Sequence, residues 1–128
     1  MAFSYVIDSA DRLATGTFSG TVAGREIAAA FRTVYEDPAW QTGFDTLWEC
    51  SGITELLLER TDLASFVALH REFAARAGTG LEVIVVTRSL DQVMAKIYGV
   101  MMRNQARRVR VCRSMAEAIE VLGQREQP

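Results

Sequence analysis

The residues of this chain best suited to nucleophilic, metal-binding or switching chemistry are Cys50, Cys112, His70 and Ser51. A cysteine nucleophile needs a base within hydrogen-bond reach, and His70 is far in sequence from both thiols. One histidine with no cysteine nearby does not make a zinc site. His70 stands on a helix between Leu69 and Phe73, where packing is the plainer role. Gly16, Gly20 and Gly24 fall at neither dinucleotide-fingerprint nor phosphate-loop spacing. These patterns supply no catalytic residue, no metal site and no cofactor, so an enzyme ranks third among the readings. Ser51 precedes Gly52, which lets the backbone bend tightly. A phosphate on Ser51 would add roughly −2 charge and reorganise the loop or a partner surface. An ordinary turn serine is the simpler alternative.

Binding chemistry is better represented. Parallel α/β sheets hold ligands at the carboxyl ends of their strands. Those ends supply Thr21, Gly52, Thr87, Arg88, Ser89, Arg113 and Ser114, several of them at helix N-termini whose free N–H groups favour anions. They form a candidate loop cluster for an anion or a partner, although Ser and Thr also cap helices for stability alone. Met94, Tyr98, Met101 and Met102 lie on one helix and suit a lipophilic groove or an oligomer face.

The elements that must position these residues follow from pattern. Phe3–Asp8 and Leu13–Ser19 are short strands separated by the polar link Ser9-Ala10-Asp11-Arg12, a hairpin-sized connection. Gly20-Thr21 punctuates, with Thr21 as N-cap of a helix carrying Ile27, Ala30, Phe31 and Val34 at helical spacing. That helix ends near Glu36, and Pro38 stops it. Phe44–Cys50 reads as the third strand, broken by Ser51-Gly52; Ile53–Arg60 fits either a helical turn or a covering loop. A longer helix from Thr61 places Phe66, Leu69, Phe73, Ala74 and Ala77 on one face, and Gly78 suits a left-handed C-cap. Leu81–Thr87 is β-branched and nearly continuous, as in a central strand covered on both faces. Ser89 to Gln92 is a capping-box string, and Val93, Ile97, Val100 and Met101 give the helix after it an apolar stripe expected to be buried. Val109–Cys112 is a fifth strand. Ser114 to Glu117 is a second capping box, opening a helix with Ala118, Ile119 and Leu122 inward and Gly123 as its stop.

The order is β-β-α-β-α-β-α-β-α. Right-handed crossovers then give a mostly parallel five-stranded α/β sheet with an antiparallel edge strand. With 128 residues, 49% hydrophobic and 23% charged, the chain makes one domain over residues 1–123, with residues 124–128 expected to fray. No apolar run approaches the roughly 20 residues of a membrane helix. The N-terminal residues lack the basic and apolar regions of a secretory signal, and the cysteines read as free thiols, so a cytoplasmic location is expected.

A net charge of −2 argues against a general nucleic-acid binder. The charge is unevenly distributed. Met1 to Asp62 holds 10 acidic and 4 basic residues, whereas Arg88 to Arg113 holds 7 basic and 1 acidic. The basic stretch serves either as a solvated face or as a surface for an acidic partner or a second copy.

Several strings, in order, resemble the STAS domain superfamily (sulfate transporter and anti-sigma factor antagonist), in particular its stand-alone bacterial, SpoIIAA-like branch. They are Ser19-Gly20-Thr21, Asp37-Pro38-Ala39-Trp40, Leu47-Trp48-Glu49, Val83-Ile84-Val85-Val86-Thr87, Met94-Ala95-Lys96-Ile97-Tyr98, and Arg110-Val111-Cys112-Arg113-Ser114 with Ala116-Glu117-Ala118. The match runs from Ser4 to Gly123. The resemblance implies a non-enzymatic regulatory module that binds a protein partner, or itself as a homodimer, through loops at one end of the sheet. The alternative it implies is a carrier or sensor of a small anionic or lipophilic ligand. In anti-sigma antagonists a serine in an Asp-Ser-Ser/Ala-Gly string is phosphorylated. Here the corresponding stretch is Glu49-Cys50-Ser51-Gly52, which keeps Ser-Gly but differs in its acidic residue and spacing.

Overall fold

The computed structural model describes residues 2–124. Strand β1 (Ala2–Asp8) and strand β2 (Leu13–Ala23) pair antiparallel from Ala2 opposite Ser19 to Asp8 opposite Leu13. The link between them is an Asx turn: Asp8 Oδ1 accepts from the backbone N–H groups of Ala10 and Asp11. Helix α1 (Gly24–Glu36) leads to strand β3 (Asp45–Leu57). Helix α2 (Asp62–Glu72) and the single turn α3 (Ala74–Ala77) lead to strand β4 (Leu81–Val85). Helix α4 (Ser89–Met101) and a 3₁₀ turn then reach strand β5 (Arg108–Cys112), and helix α5 (Met115–Gln124) follows. The strands lie in the order β1-β2-β3-β4-β5, and every pairing after the hairpin is parallel. The expected fold class is therefore observed.

Two layers of helix sandwich the central strands. On one face α1, α2 and α4 close a large core with Phe18, Phe31, Trp48, Phe66, Ile84 and Tyr98 at its centre. On the other, α5 lays Ala118, Val121 and Leu122 over Leu47, Val83, Val85 and Cys112. All five β4 side chains are consequently buried, as its near-continuous apolar run requires. Among the described residues no helix covers β1 and β2 on that second face, and Val6 is 68% exposed there.

The structure corrects several local expectations. β2 and β3 run on in parallel to Ala23 opposite Leu57, so Gly20-Thr21 and Ser51-Gly52 lie inside strands rather than ending them. A register shift between Thr17 and Ser19 absorbs the local distortion. Thr21 is not an N-cap: α1 starts at Gly24, where the Glu26 carboxylate accepts from the Ala23 N–H at 2.9 Å. Gly24 lies close under Asp62, since a Cβ there would lie 2.2 Å from the Asp62 carboxylate and that side chain would have to move aside. The helix expected from Thr61 to Ala77 breaks at Phe73, leaving Ala74 exposed, and Gly78 ends it at φ +78° as anticipated. Gln92 does not complete a capping box; its amide donates to the carbonyls of Val86 and Thr87. The second box does form in outline, since Ser114 Oγ accepts from the Glu117 N–H and the Glu117 carboxylate from the Arg113 N–H. α5 includes Gly123, and residues 125–128 of the expected tail lie outside the described residues.

Candidate functional site

The helical face of the sheet is divided along the strand direction into two chambers, and each contributing element supplies residues to both. On α1, Ile27 and Phe31 face the carboxyl-end chamber and Tyr35, one turn on, faces the amino-end chamber. On α2 the sequence is Leu63 and Phe66, then His70. On β4, reading toward the amino end, it is Val86, Ile84, then Glu82, alternate residues sharing one face. On β3, Cys50 and Trp48 precede Thr46, and on α4 Asp91, Met94 and Ala95 precede Tyr98.

The amino-end chamber is filled by polar groups. His70 Nε2 lies 3.0 Å from Glu82 Oε1, and both side chains are at most 1% exposed. Tyr98 donates to Glu82 Oε2 at 2.5 Å, and the Tyr35 hydroxyl lies 2.9 Å from His70 Nε2 and 3.3 Å from Glu82 Oε1. His70 Nδ1 donates to the Phe66 carbonyl at 2.9 Å. With Nδ1 committed as donor, a lone pair on Nε2 would oppose the carboxylate. The arrangement therefore favours imidazolium, a donor at both nitrogens. Burial alone lowers the His70 pKa, but the charge and hydrogen bond of Glu82 and the Phe66 carbonyl outweigh it and the net shift is upward. Burial likewise raises Glu82, yet His70, Arg107 and the Tyr98 hydroxyl bring it down to about 2. Arg107 closes the chamber. Its guanidinium donates to the carbonyls of Ala77, Phe44 and Leu81 and to Thr46 Oγ1, and stacks over the Tyr35 and Trp40 rings.

The carboxyl-end chamber differs in kind. It holds a cavity of about 80 Å³ with almost entirely apolar walls. Half-buried Ile27, Leu56, Leu58, Leu63 and Met94 are among the lining residues. Cys50 also lines it, and burial, followed by the nearby charges of Glu49 and Asp91, pushes its thiol up to about 12. At neutral pH that sulfur is a protonated, apolar wall atom rather than a nucleophile. Cys112 sits in the other core layer, across the sheet from His70.

The remaining candidate residues are distributed as follows. Ser51 is exposed within β3, and its N–H and hydroxyl both donate to the Glu49 carboxylate. Gly52 is its neighbour, paired with Ser19, and Thr21 pairs with Glu55. Thr87, Arg88 and Ser89 connect β4 to α4; Arg88 donates to the Thr54 carbonyl and its Nε lies 3.8 Å from Asp91 Oδ2. Arg113 and Ser114 are bound instead to Glu117. The starts of α1, α2, α4 and α5 each carry an acidic residue of the chain's own, namely Glu26, Asp62, Asp91 and Glu117. Such carboxylates compete with an external anion for the helix N-termini.

α4 departs most from expectation. The side turned inward carries Asp91, Ala95 and Tyr98, whereas Leu90, Val93, Ile97, Val100 and Met101 are 38–67% exposed. The helix is apolar on both sides, and the bond from Tyr98 to Glu82 selects which side enters the core. Of the four groove residues, Met94 and Tyr98 line the cavity, Met102 is buried in the core, and Met101 faces out. On α5, similarly, Val121 is buried where Ile119 was expected, and Ile119 is 63% exposed. A groove of about 530 Å³ beside α4 runs along β5, the edge strand, and Lys96, Arg103, Arg108 and Arg110 line it.

The buried cluster is what sequence reasoning missed, and one signal was available. Glu82 interrupts a strand destined for burial on both faces, and a buried carboxylate must find partners.

Comparison with known proteins places this architecture. By sequence the chain matches no protein-family model and no curated protein. By structure it is similar to an uncharacterised protein of the DUF3478 family with a SpoIIAA-like fold from Shewanella loihica PV-4. The TM-score is 0.59 at 8% identity, covering 94% of this chain and 92% of that one. It is also similar to the anti-sigma factor antagonist SpoIIAA in its unphosphorylated form. There the TM-score is 0.54 at 16% identity, covering 95% and 98%. The chain thus has a SpoIIAA-like, STAS-like fold. Among the described residues no helix is long and apolar enough to cross a membrane.

Proposed function

We propose that the protein is a non-enzymatic interaction module that docks a protein partner on the outward side of α4. The observation that carries this reading is the stripe Leu90, Val93, Ile97, Val100 and Met101, five large apolar side chains at helical spacing and exposed together. Lys96 on the same helix and Arg103 in the 3₁₀ turn after it, with Arg108 and Arg110 on β5, add positive charge beside it. The complementary partner presents an apolar ridge flanked by Asp and Glu. The fold supports the reading, since one structural neighbour is an anti-sigma factor antagonist. A switch at Ser51 belongs to the same proposal, with one physical condition. A phosphate there would sit against Glu49, so it would act by repulsion and rearrangement rather than by docking in place.

A photo-crosslinking residue at Val93 tests the proposal. The expected result is a crosslink to a distinct protein whose purified form binds with at least tenfold loss on Ile97→Lys with Val100→Lys, and unchanged affinity on Ile119→Lys. Binding that survives the α4 changes would overturn it. A crosslink only to a second copy would replace the partner by self-association.

A further inference from the structure

We infer that the outer edge of β5 receives an extended segment of a partner protein as a further strand, with acidic and apolar residues alternating along it. This rests on the protein being an interaction module, and it adds a second kind of contact to the docking face of α4.

The backbone of β5 is open on one side. Among the described residues β5 pairs with β4 alone. The Arg108 N–H donates to the Gly80 carbonyl at 3.3 Å, and the Cys112 carbonyl accepts from the Val86 N–H at 3.0 Å. Arg108, Arg110 and Cys112 therefore turn their main-chain groups toward β4. Successive residues of a strand bond to opposite sides, so the N–H and C=O groups of Val109 and Val111 point away from the sheet. An unpaired row of this kind is a template for another strand, and strand addition at such an edge is a recurring mode of peptide capture. There is room for it: the groove of about 530 Å³ beside α4 runs along β5, and Val109 and Val111 line it.

The side chains set what that strand must be. Val109 and Val111 pack toward the α4 layer and Cys112 toward α5. By alternation Arg108 and Arg110 stand on the α5 side, and both are exposed. Lys96 and Arg103 place two more exposed cations along the groove. Arg32, Arg88 and Arg107 each face a carboxylate, on Glu72, Asp91 and Glu82. Among the described residues Lys96, Arg103, Arg108 and Arg110 form no ion pair, and no carboxylate lines their groove. Opposite charges across paired strands stabilise and like charges destabilise. The edge thus repels a basic strand, a second β5 included, and admits an acidic one. An added strand continues the alternation, with Asp or Glu beside Arg108 and Arg110 and apolar residues on the side of Val109, Val111 and Val100. The other edge of the sheet, β1, carries Asp8 as its one charged residue, so a second copy's β1 does not meet this pattern.

The test uses a peptide with acetylated and amidated ends that alternates Glu and Val over seven residues. It is titrated at low salt into the ¹⁵N-labelled protein. The Val109 and Val111 amide signals are expected to shift, and their hydrogen exchange to slow at least tenfold. A peptide of the same composition with its Glu residues in one block should bind at least tenfold more weakly, as should one alternating Lys and Val. N-methylation of one alternate set of peptide amides should remove binding, while the other set tolerates it. Arg108→Glu with Arg110→Glu should transfer the preference to the Lys-containing peptide. Leu90→Lys with Val93→Lys strikes the α4 stripe away from the groove and should change peptide affinity less than twofold, so the strand site and the docking face fail independently. Equal binding of the block peptide, equal sensitivity of both amide sets, an unchanged preference after the charge reversal, shifts confined to β1, or no binding at millimolar peptide would each overturn the inference.

Discussion

The two chambers on the helical face use the same five elements and reach opposite ends. At the amino ends of the parallel strands, each buried polar side chain of the cluster is tied to others, and Tyr35, His70, Glu82, Tyr98 and Arg107 lock α1, α2, β4, α4 and the segment before β5 together. At the carboxyl ends α1, α2, β3, β4 and α4 line a partly open, almost entirely apolar cavity. The difference separates structure from function. A filled, densely bonded chamber, in which Arg107 Nε is left without a hydrogen bond, specifies the fold; the apolar chamber lies at the end where parallel sheets hold their ligands.

Breaking the filled chamber should have the largest effect. Glu82→Ala leaves His70 and Arg107 buried without their counter-charge, and a loss of about 3–5 kcal/mol is expected by denaturant titration. Replacing the charged members together, Glu82→Leu with His70→Leu and Arg107→Met, should cost less than Glu82→Ala alone, because no charge remains unpaired. Gly24→Ala comes next: its Cβ would displace the Asp62 carboxylate from the junction of α1 and α2, with an expected cost of about 1–3 kcal/mol.

The pH dependence follows from the same pair. Glu82 has a folded pKa below its ordinary value, so its stabilisation is present above pH 4.5 and is lost as pH falls toward about 2. His70 has a raised folded pKa, so its stabilisation is complete below about 6.5 and is lost as pH rises through the folded value. Thermal unfolding from pH 2 to 9 should therefore show a maximum between these limits, and His70→Gln should flatten the alkaline limb. In the open chamber the effects reverse in sign. Ala95→Val should raise stability by about 0.5–1 kcal/mol by filling space.

How much of this was legible in the sequence depends on distance along the chain. Local pattern was enough for the hairpin, for β4 as a doubly covered strand and for the alternation that yields a parallel sheet. It was also enough for Gly78, whose left-handed backbone ends α3. It failed where a tertiary bond decides. α4 has two apolar faces, and nothing within Ser89–Met101 says that Tyr98 will meet Glu82. The Ser51-Gly52 pair looks like a turn, but pairing with β2 carries β3 straight through it. The cluster draws one residue from each of five separated segments, so no spacing rule could assemble it. For the cavity, Met94 and Tyr98 were legible as a groove, while Asp91 was hidden as an ordinary helix-start acid.

The smallest expected effect on stability bears most on function. Ile97→Lys with Val100→Lys changes exposed positions and should shift unfolding by no more than about 0.5 kcal/mol, while removing the apolar ridge. The most direct measurement is therefore amide chemical-shift mapping of the labelled protein with its crosslinked partner. Perturbations are predicted over Leu90 to Met101 of α4 and Arg108 to Cys112 of β5. Perturbations centred instead on Ser4, Val6, Thr15 and Thr17, across the helix-free face of β1 and β2, would contradict the assignment of α4 as the docking surface.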